Sequence, residues 1–301
     1  DSDGGELSRI EQRRRQENTL VLQTLQLLIN LRQALDEEQL AAGEYELLQL
    51  SLQAAEQTPG YDQLPLKRRI REQYLTLAQL RAEIEQLQFQ LASFLGAAAG
   101  IVYDPDVEFG NLNLSLAAEE LKEEWFAASI SWRRALAELA AARADLEYEQ
   151  KTKGWQMTAG GTVDHSLNWA VGLTASKTLY PRSIISEELE LALARAEQAA
   201  AAEEHKVAVE LRGVLGKIEA ARSDSDLRGE HLHGAEQEWE LRRRELEAGL
   251  VTPLQLEEAK LALLKAENDY RHARFKLGLA ILELWAGCGR ELPALLGGLL
   301  N

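Results

Sequence analysis

The chain is 301 residues long, 46% hydrophobic and 27% charged, with much of the apolar fraction in Ala and Leu, a balance that points to long helices. Its formal net charge of -16, from 33 basic and 49 acidic residues, argues against a nucleic-acid partner, because no basic face is left to neutralise phosphates. One cysteine, Cys288, excludes a disulfide framework and a cysteine-based zinc site, and no run reaches the roughly 18 apolar residues of a membrane-spanning helix.

The opening DSDGGEL has neither an initiator Met nor a basic-then-apolar leader, as expected of a processed secretory product or a trimmed chain. From about Glu6 to Gln57 the pattern is helical, with Val21, Leu25, Leu28 and Leu35 on one stripe. Thr58 to Asp62 is a turn by composition, and Pro65 can open the next helix. There Leu77, Leu80, Ile84, Leu87, Leu91 and Phe94 step 3-4-3-4-3 towards a stop at Gly96, which makes an antiparallel helical hairpin. Gly100 to Asn113 loses the helical period and reads as a linker with some extended character. Ser115 is a candidate N-cap, followed by Glu119 and Glu120, for one helix expected to run to Lys153 and end at Gly154.

Trp155 to Tyr180 changes period. Trp155, Met157, Ala159, Gly161 and Val163 alternate with Gln156, Thr158, Gly160 and Thr162. After Asp164, His165 and Ser166, Leu167, Trp169, Val171, Leu173 and Ala175 alternate with Asn168, Ala170, Gly172, Thr174 and Ser176. Two strands joined by a polar turn are predicted, each roughly 9 to 11 residues, the length of a tilted strand crossing a bilayer. On that reading the apolar positions Trp155, Met157, Val163, Leu167, Trp169, Val171 and Leu173 face lipid, with Trp155 and Trp169 in an interfacial aromatic belt. A hairpin half-buried on a soluble core has the same local pattern.

Pro181 and Ser183 introduce the longest helical stretch, Ile184 to about Leu250, where Val207, Leu211, Val214, Ile218 and Ala221 step 4-3-4-3. Gly213, Gly216, Gly229 and Gly234 each weaken it by about 1 kcal/mol relative to Ala, which suggests close approach of another backbone. Gly249 to Pro253 forms a turn. A final helix carrying Tyr270, Ala273, Leu277, Ala280 and Leu284 is expected to end at Gly287, before a short apolar tail.

The two halves repeat. Glu44-Tyr45-Glu46-Leu47 matches Glu238-Trp239-Glu240-Leu241, Leu52 to Ala55 matches Leu246 to Gly249, and Thr58-Pro59 matches Thr252-Pro253 at a constant shift. After a small insertion in the first copy, Phe94-Leu95-Gly96 meets Trp285-Ala286-Gly287. The expected organisation is a first repeat at 1–99, reduced to its helical hairpin, and a linker at 100–114. A second repeat follows at 115–289, with the β-hairpin at 155–179, and a C-terminal tail at 290–301.

No catalytic or cofactor signature emerges. Glu230, His231 and His233 have residues two apart on different helix faces, so a solvated surface explains them better than a metal. No Ser, His and Asp constellation and no phosphate-cradling glycine loop is present, and Arg13 to Arg15 and Arg242 to Arg244 read as solvated or ion-paired helix faces. An enzyme is not expected, and no cofactor.

In order, these elements are a helix ending at a Gly, an alternating strand pair closed by Thr178-Leu179-Tyr180, and a long Ala- and Glu-rich helix. A Gly249-Leu250-x-Thr252-Pro253 turn and a returning helix ending in Ala286-Gly287 complete the series. This order resembles the outer-membrane efflux family typified by TolC, over roughly Leu116 to Gly287 and the first helical hairpin. The fold class expected is mainly α, with long antiparallel coiled-coil helices of the helical-tunnel type and one β-hairpin contributing to an oligomeric β-barrel. The resemblance implies a homotrimer, its strands in outer-membrane lipid and its helices in the periplasm, passing solutes from an inner-membrane transporter through a periplasmic adaptor. It implies a tunnel entrance at Gln255 and Glu258, of which Gln255 replaces an acid, and an adaptor-docking turn at Gly249, Leu250 and Thr252. The first copy's turn has Ala55 and an insertion instead. The chain supplies two strands where the resemblance implies four, as a shortened version or an atypical member would. The alternative reading is a soluble coiled-coil interaction protein with a capping hairpin.

Overall fold

A computed structural model describes residues 2–57, 62–97, 101–105, 109, 118–152, 156–163, 169–176 and 184–299. The elements in chain order are α1 (Ser2–Glu56), α2 (Leu64–Phe94), α3 (Ala118–Ala128), α4 (Ile130–Thr152), β1 (Gln156–Val163), β2 (Trp169–Ser176), α5 (Ile184–Glu247), α6 (Pro253–Gly287) and α7 (Leu292–Leu299). They fall into two compact units, one of residues 1–116 with 213–301 and the other of residues 117–212; α5 belongs to both.

In the first unit α1 lies between α2 and α6. Flanked on two sides, α1 buries a wider face than a single seam: Ile29, Leu31, Ala34, Asp36 and Ala41 are buried, whereas the expected stripe residues Val21, Leu25, Leu28 and Leu35 are half-buried. Arg81 of α2 reaches Glu38 of α1 at 2.9 Å, and Arg228 of α5 reaches Asp269 of α6 at 3.5 Å.

The core gathers Ile29, Phe275, Leu282 and Leu292 around Phe109, which arrives from the segment between α2 and α3. The described residues of that segment are tied to the helices. Gln88 and the backbone of Tyr103 exchange two hydrogen bonds, at 2.7 and 2.8 Å. Arg274 donates to the Phe109 carbonyl at 2.6 Å, and Gly278 leaves the notch the Phe109 ring fills: a Cβ there would lie 2.5 Å from the ring. The expected apolar tail is a helix. Asn18 of α1 donates to the Arg290 carbonyl at 2.7 Å and accepts from the Leu292 N–H at 3.0 Å, so it caps α7 from outside and seats Leu292 in the core.

Three helices in this unit end the same way. Gly96, Gly249 and Gly289 have φ of 66°, 71° and 74°, a left-handed conformation in which only Gly avoids a steric penalty. After α5, Gly249 N–H bonds to the Leu246 carbonyl at 2.9 Å and Leu250 N–H to Glu245 at 2.8 Å, the paired pattern of a Schellman cap. α6 ends at Gly287 as expected, and the left-handed residue that follows it is Gly289.

In the second unit the single helix expected up to Lys153 is two. Ser129 breaks it because its hydroxyl accepts from Trp132 N–H at 3.3 Å and caps α4, while Phe126 and Trp132 meet edge to face at 5.7 Å across the break. Ser115 and Gly154 lie outside the described residues. Arg143 of α4 pairs with Glu197 of α5 at 3.3 Å. β1 and β2 pair antiparallel through eight described residues each, and Trp155, Leu167 and Asn168 lie outside the described residues.

Of the four α5 glycines read as close-approach positions, Gly229 has a neighbour, with Tyr270 3.4 Å from the place of a Cβ. Gly213, Gly216 and Gly234 have nothing within 4 Å.

Candidate channel elements

The hairpin register joins Met157 to Ala175, Ala159 to Leu173, Gly161 to Val171 and Val163 to Trp169. In an antiparallel ladder directly paired residues share a face, so the odd-numbered apolar set of both strands is assembled on one side. The even-numbered set, Gln156 with Ser176, Thr158 with Thr174 and Thr162 with Ala170, is aligned on the other. Of the seven residues expected to face lipid, Met157, Val163, Trp169, Val171 and Leu173 are thereby brought together; Trp155 and Leu167 lie outside the described residues.

The α5–α6 turn is built from its sequence in two halves. Gly249 closes α5 as described, leaving Leu250 three-quarters exposed. Thr252 then opens α6 with a capping box: its hydroxyl accepts from Gln255 N–H at 3.4 Å, and the Gln255 side chain accepts from Thr252 N–H at 2.9 Å. Gln255, expected at a tunnel entrance, therefore spends its amide oxygen on the helix cap, three residues from an exposed Glu258. Pro253 at the first turn of α6 completes a rigid bend between two rods. Above it, Arg242 pairs with Glu238 and Glu245 at 2.8 and 2.9 Å, and Arg244 with Glu240 at 3.0 Å, in line with the ion-paired faces read from the sequence.

Sequence reasoning missed the strongest polar site, at the crossing of α1 and α6. Asp36 is 1% exposed. Arg271 Nη1 donates to both of its oxygens at 2.7 and 2.8 Å, His272 Nε2 lies 3.3 Å from Oδ2, and Arg32 Nε forms an ion pair at 3.0 Å. Asn268 donates to its carbonyl at 3.2 Å. Burial pushes the Asp36 pKa up, but the hydrogen bonds from His272 and Arg271 and the charges of Arg271 and Arg32 outweigh it and hold the carboxyl below the ordinary aspartate value. The available signal was an acid flanked by buried Ala34 and by Arg32 one turn earlier.

Among the described residues no group of three His, Cys, Asp or Glu could hold a metal ion, and no helix is long and apolar enough to cross a membrane. His233, once a metal candidate, hydrogen-bonds Gln237 at 2.8 Å.

Paired long helices, one pair turning on a rigid tip, with a strand pair inserted ahead of the longest helix, make the fold of the TolC-type outer-membrane channels. The open-state outer-membrane channel MtrE of Neisseria gonorrhoeae aligns with 96% of this chain and 70% of its own, at 17% identity and a TM-score of 0.60. Outer-membrane protein VceC of Vibrio cholerae aligns over 91% of this chain and 70% of its own, at 15% identity and 0.55. The outer-membrane channel OprN does so over 93% and 68%, at 22% identity and 0.54. No protein-family model matches the sequence, and no curated protein is similar enough to align with it.

Proposed function

We propose that this chain is the protomer of a homotrimeric outer-membrane channel for efflux or export, its hairpin contributing to a shared β-barrel in the outer membrane and its helices walling a periplasmic conduit. The observation that carries this is the hairpin register, which sorts apolar from small and polar residues onto opposite faces within a fold shared with channel proteins. Lipid would meet Met157, Val163, Trp169, Val171 and Leu173, and water the even-numbered face. The bend at Gly249, Leu250 and Thr252 suits an adaptor-docking surface, because its backbone is fixed by two caps while Leu250 stands free of the protein. Glu258 lies one turn on, placed to bias an entrance towards cations. An inner-membrane transporter working through that adaptor would supply the cargo.

The test is behaviour in membranes. Purified protein should need detergent to stay dispersed and should give ion conductance in planar bilayers. Val171→Lys or Leu173→Lys should block insertion while leaving helical circular dichroism intact, since a lysine facing lipid near mid-bilayer costs about 2–4 kcal/mol. Protein that stays monodisperse without detergent and ignores liposomes would instead be the soluble coiled-coil interaction protein.

A further inference from the structure

Between the Asp36 crossing and the α5–α6 turn, α1 and α6 enclose a cleft of about 480 Å³ that Trp239 of α5 also lines. Its walls are two stripes with steps of three and four: Gly43, Leu47 and Leu50 on α1, and Glu257, Leu261 and Leu264 on α6. Gly43 lets Leu261 lie against the α1 backbone, where a Cβ would sit 2.7 Å from Leu261 Cδ1. Four leucines and an indole make the lining mostly apolar, and the volume falls in the range of small-molecule sites.

The charges around the cleft have one sign in excess. Lys260 holds Glu257 at 3.3 Å, whereas Glu46 and Glu267, which also line the cleft, make no ion pair with any described residue. That sets them apart from the acids of neighbouring α5, where Glu238, Glu240, Glu245 and Glu247 each pair with an arginine. Two carboxylates without a counter-ion beside an apolar cleft favour a cation over an anion of equal size. The indole agrees with that sign. The Arg243 guanidinium lies 5.9 Å from the centroid of the Trp239 ring, which therefore already takes a cation on its face.

We propose that this cleft binds a small organic cation with an aromatic or branched apolar body. The body lies among Leu47, Leu50, Leu261 and Leu264 beside the Trp239 ring, and the ammonium group faces Glu46 and Glu267. A ligand seated there touches α1, α5 and α6 at once. The site draws on the first unit alone, and it holds whether or not the hairpin enters a membrane.

The test uses full-length protein labelled with 5-fluorotryptophan, whose fluorine NMR spectrum reports six tryptophans; Trp239→Phe identifies the signal of Trp239. Benzyltrimethylammonium, a water-soluble aromatic cation, is titrated in parallel with benzenesulfonate, an anion of similar size. The cation should shift the Trp239 signal along a saturating curve and leave the Trp285 signal in place, and the anion should move neither. Glu46→Gln combined with Glu267→Gln changes two exposed side chains and should keep the unliganded spectrum. Half-saturation should then need about fivefold more cation, the loss of two exposed ionic contacts. A Trp239 signal that stays put at the highest soluble concentration of the cation would overturn the proposal. So would equal shifts from cation and anion, a uniform shift of all six signals, or a double variant that titrates like the native protein.

Discussion

Asp36→Asn keeps the size of the side chain at the crossing of α1 and α6 and removes its charge. Arg271 Nη1 then loses the charged acceptor whose two oxygens lie at 2.7 and 2.8 Å, and Arg32 loses its ionic partner at 3.0 Å. Breaking a buried ion pair costs about 3–5 kcal/mol. Here the arginine side chains are 27% and 36% exposed and regain part of their hydration, so the low end, about 3 kcal/mol, is expected. Native-state hydrogen exchange reads this locally: amides of α1 and α6 near the crossing should exchange about 100-fold faster, while α3 and α4 stay unchanged. Asp36→Leu combined with Arg32→Met and Arg271→Met should recover most of the loss, because the buried carboxylate and both of its guanidinium partners are then removed together. The pH dependence has a definite sign. Folding lowers the Asp36 pKa, so its contribution is complete above the unfolded value, about 4, and fades as pH falls through the lower folded value. The difference in exchange between native protein and Asp36→Asn should therefore be flat at neutral pH and shrink only in acid. An exchange increase below threefold at neutral pH would refute the claim that this carboxylate ties α1 to α6.

Gly278→Ala places a Cβ 2.5 Å from the Phe109 ring and should cost about 1–3 kcal/mol by overpacking, read as a lowered urea midpoint and partly reversed by Phe109→Leu. Asn18→Ala removes both bonds that seat the start of α7, so limited proteolysis should clip near residue 290 faster while leaving α1 intact. Thr252→Val abolishes the capping box and should weaken the first turn of α6 by about 1 kcal/mol, seen as faster exchange at Gln255 and Leu256. Gly249→Ala forces a left-handed alanine at the same bend, for about 1–2 kcal/mol, and exchange at Leu250 should rise with it.

What the sequence revealed follows the range of the interaction involved. Helix extents came from 3-4 spacing and from glycine stops, both local signals, and α1, α2, α5 and α6 match within a few residues. Ser129 defeated the same approach because serine is acceptable within a helix, and only the meeting of Phe126 with Trp132 turns it into a cap. The tail at 290–301 reads from sequence only as a short apolar tail for a comparable reason: α7 is held by Asn18, which is hundreds of residues away in sequence, and no local pattern announces such a partner. Asp36 was invisible because a buried charge is recognisable only once its cations arrive from α6. The entrance position Gln255 shows the converse limit. Thr252 followed three residues later by Gln255 is itself a helix-start signature, and that structural demand explains a glutamine there without reference to any entrance. Of the two positions that the resemblance places at an entrance, Glu258 alone carries a carboxylate.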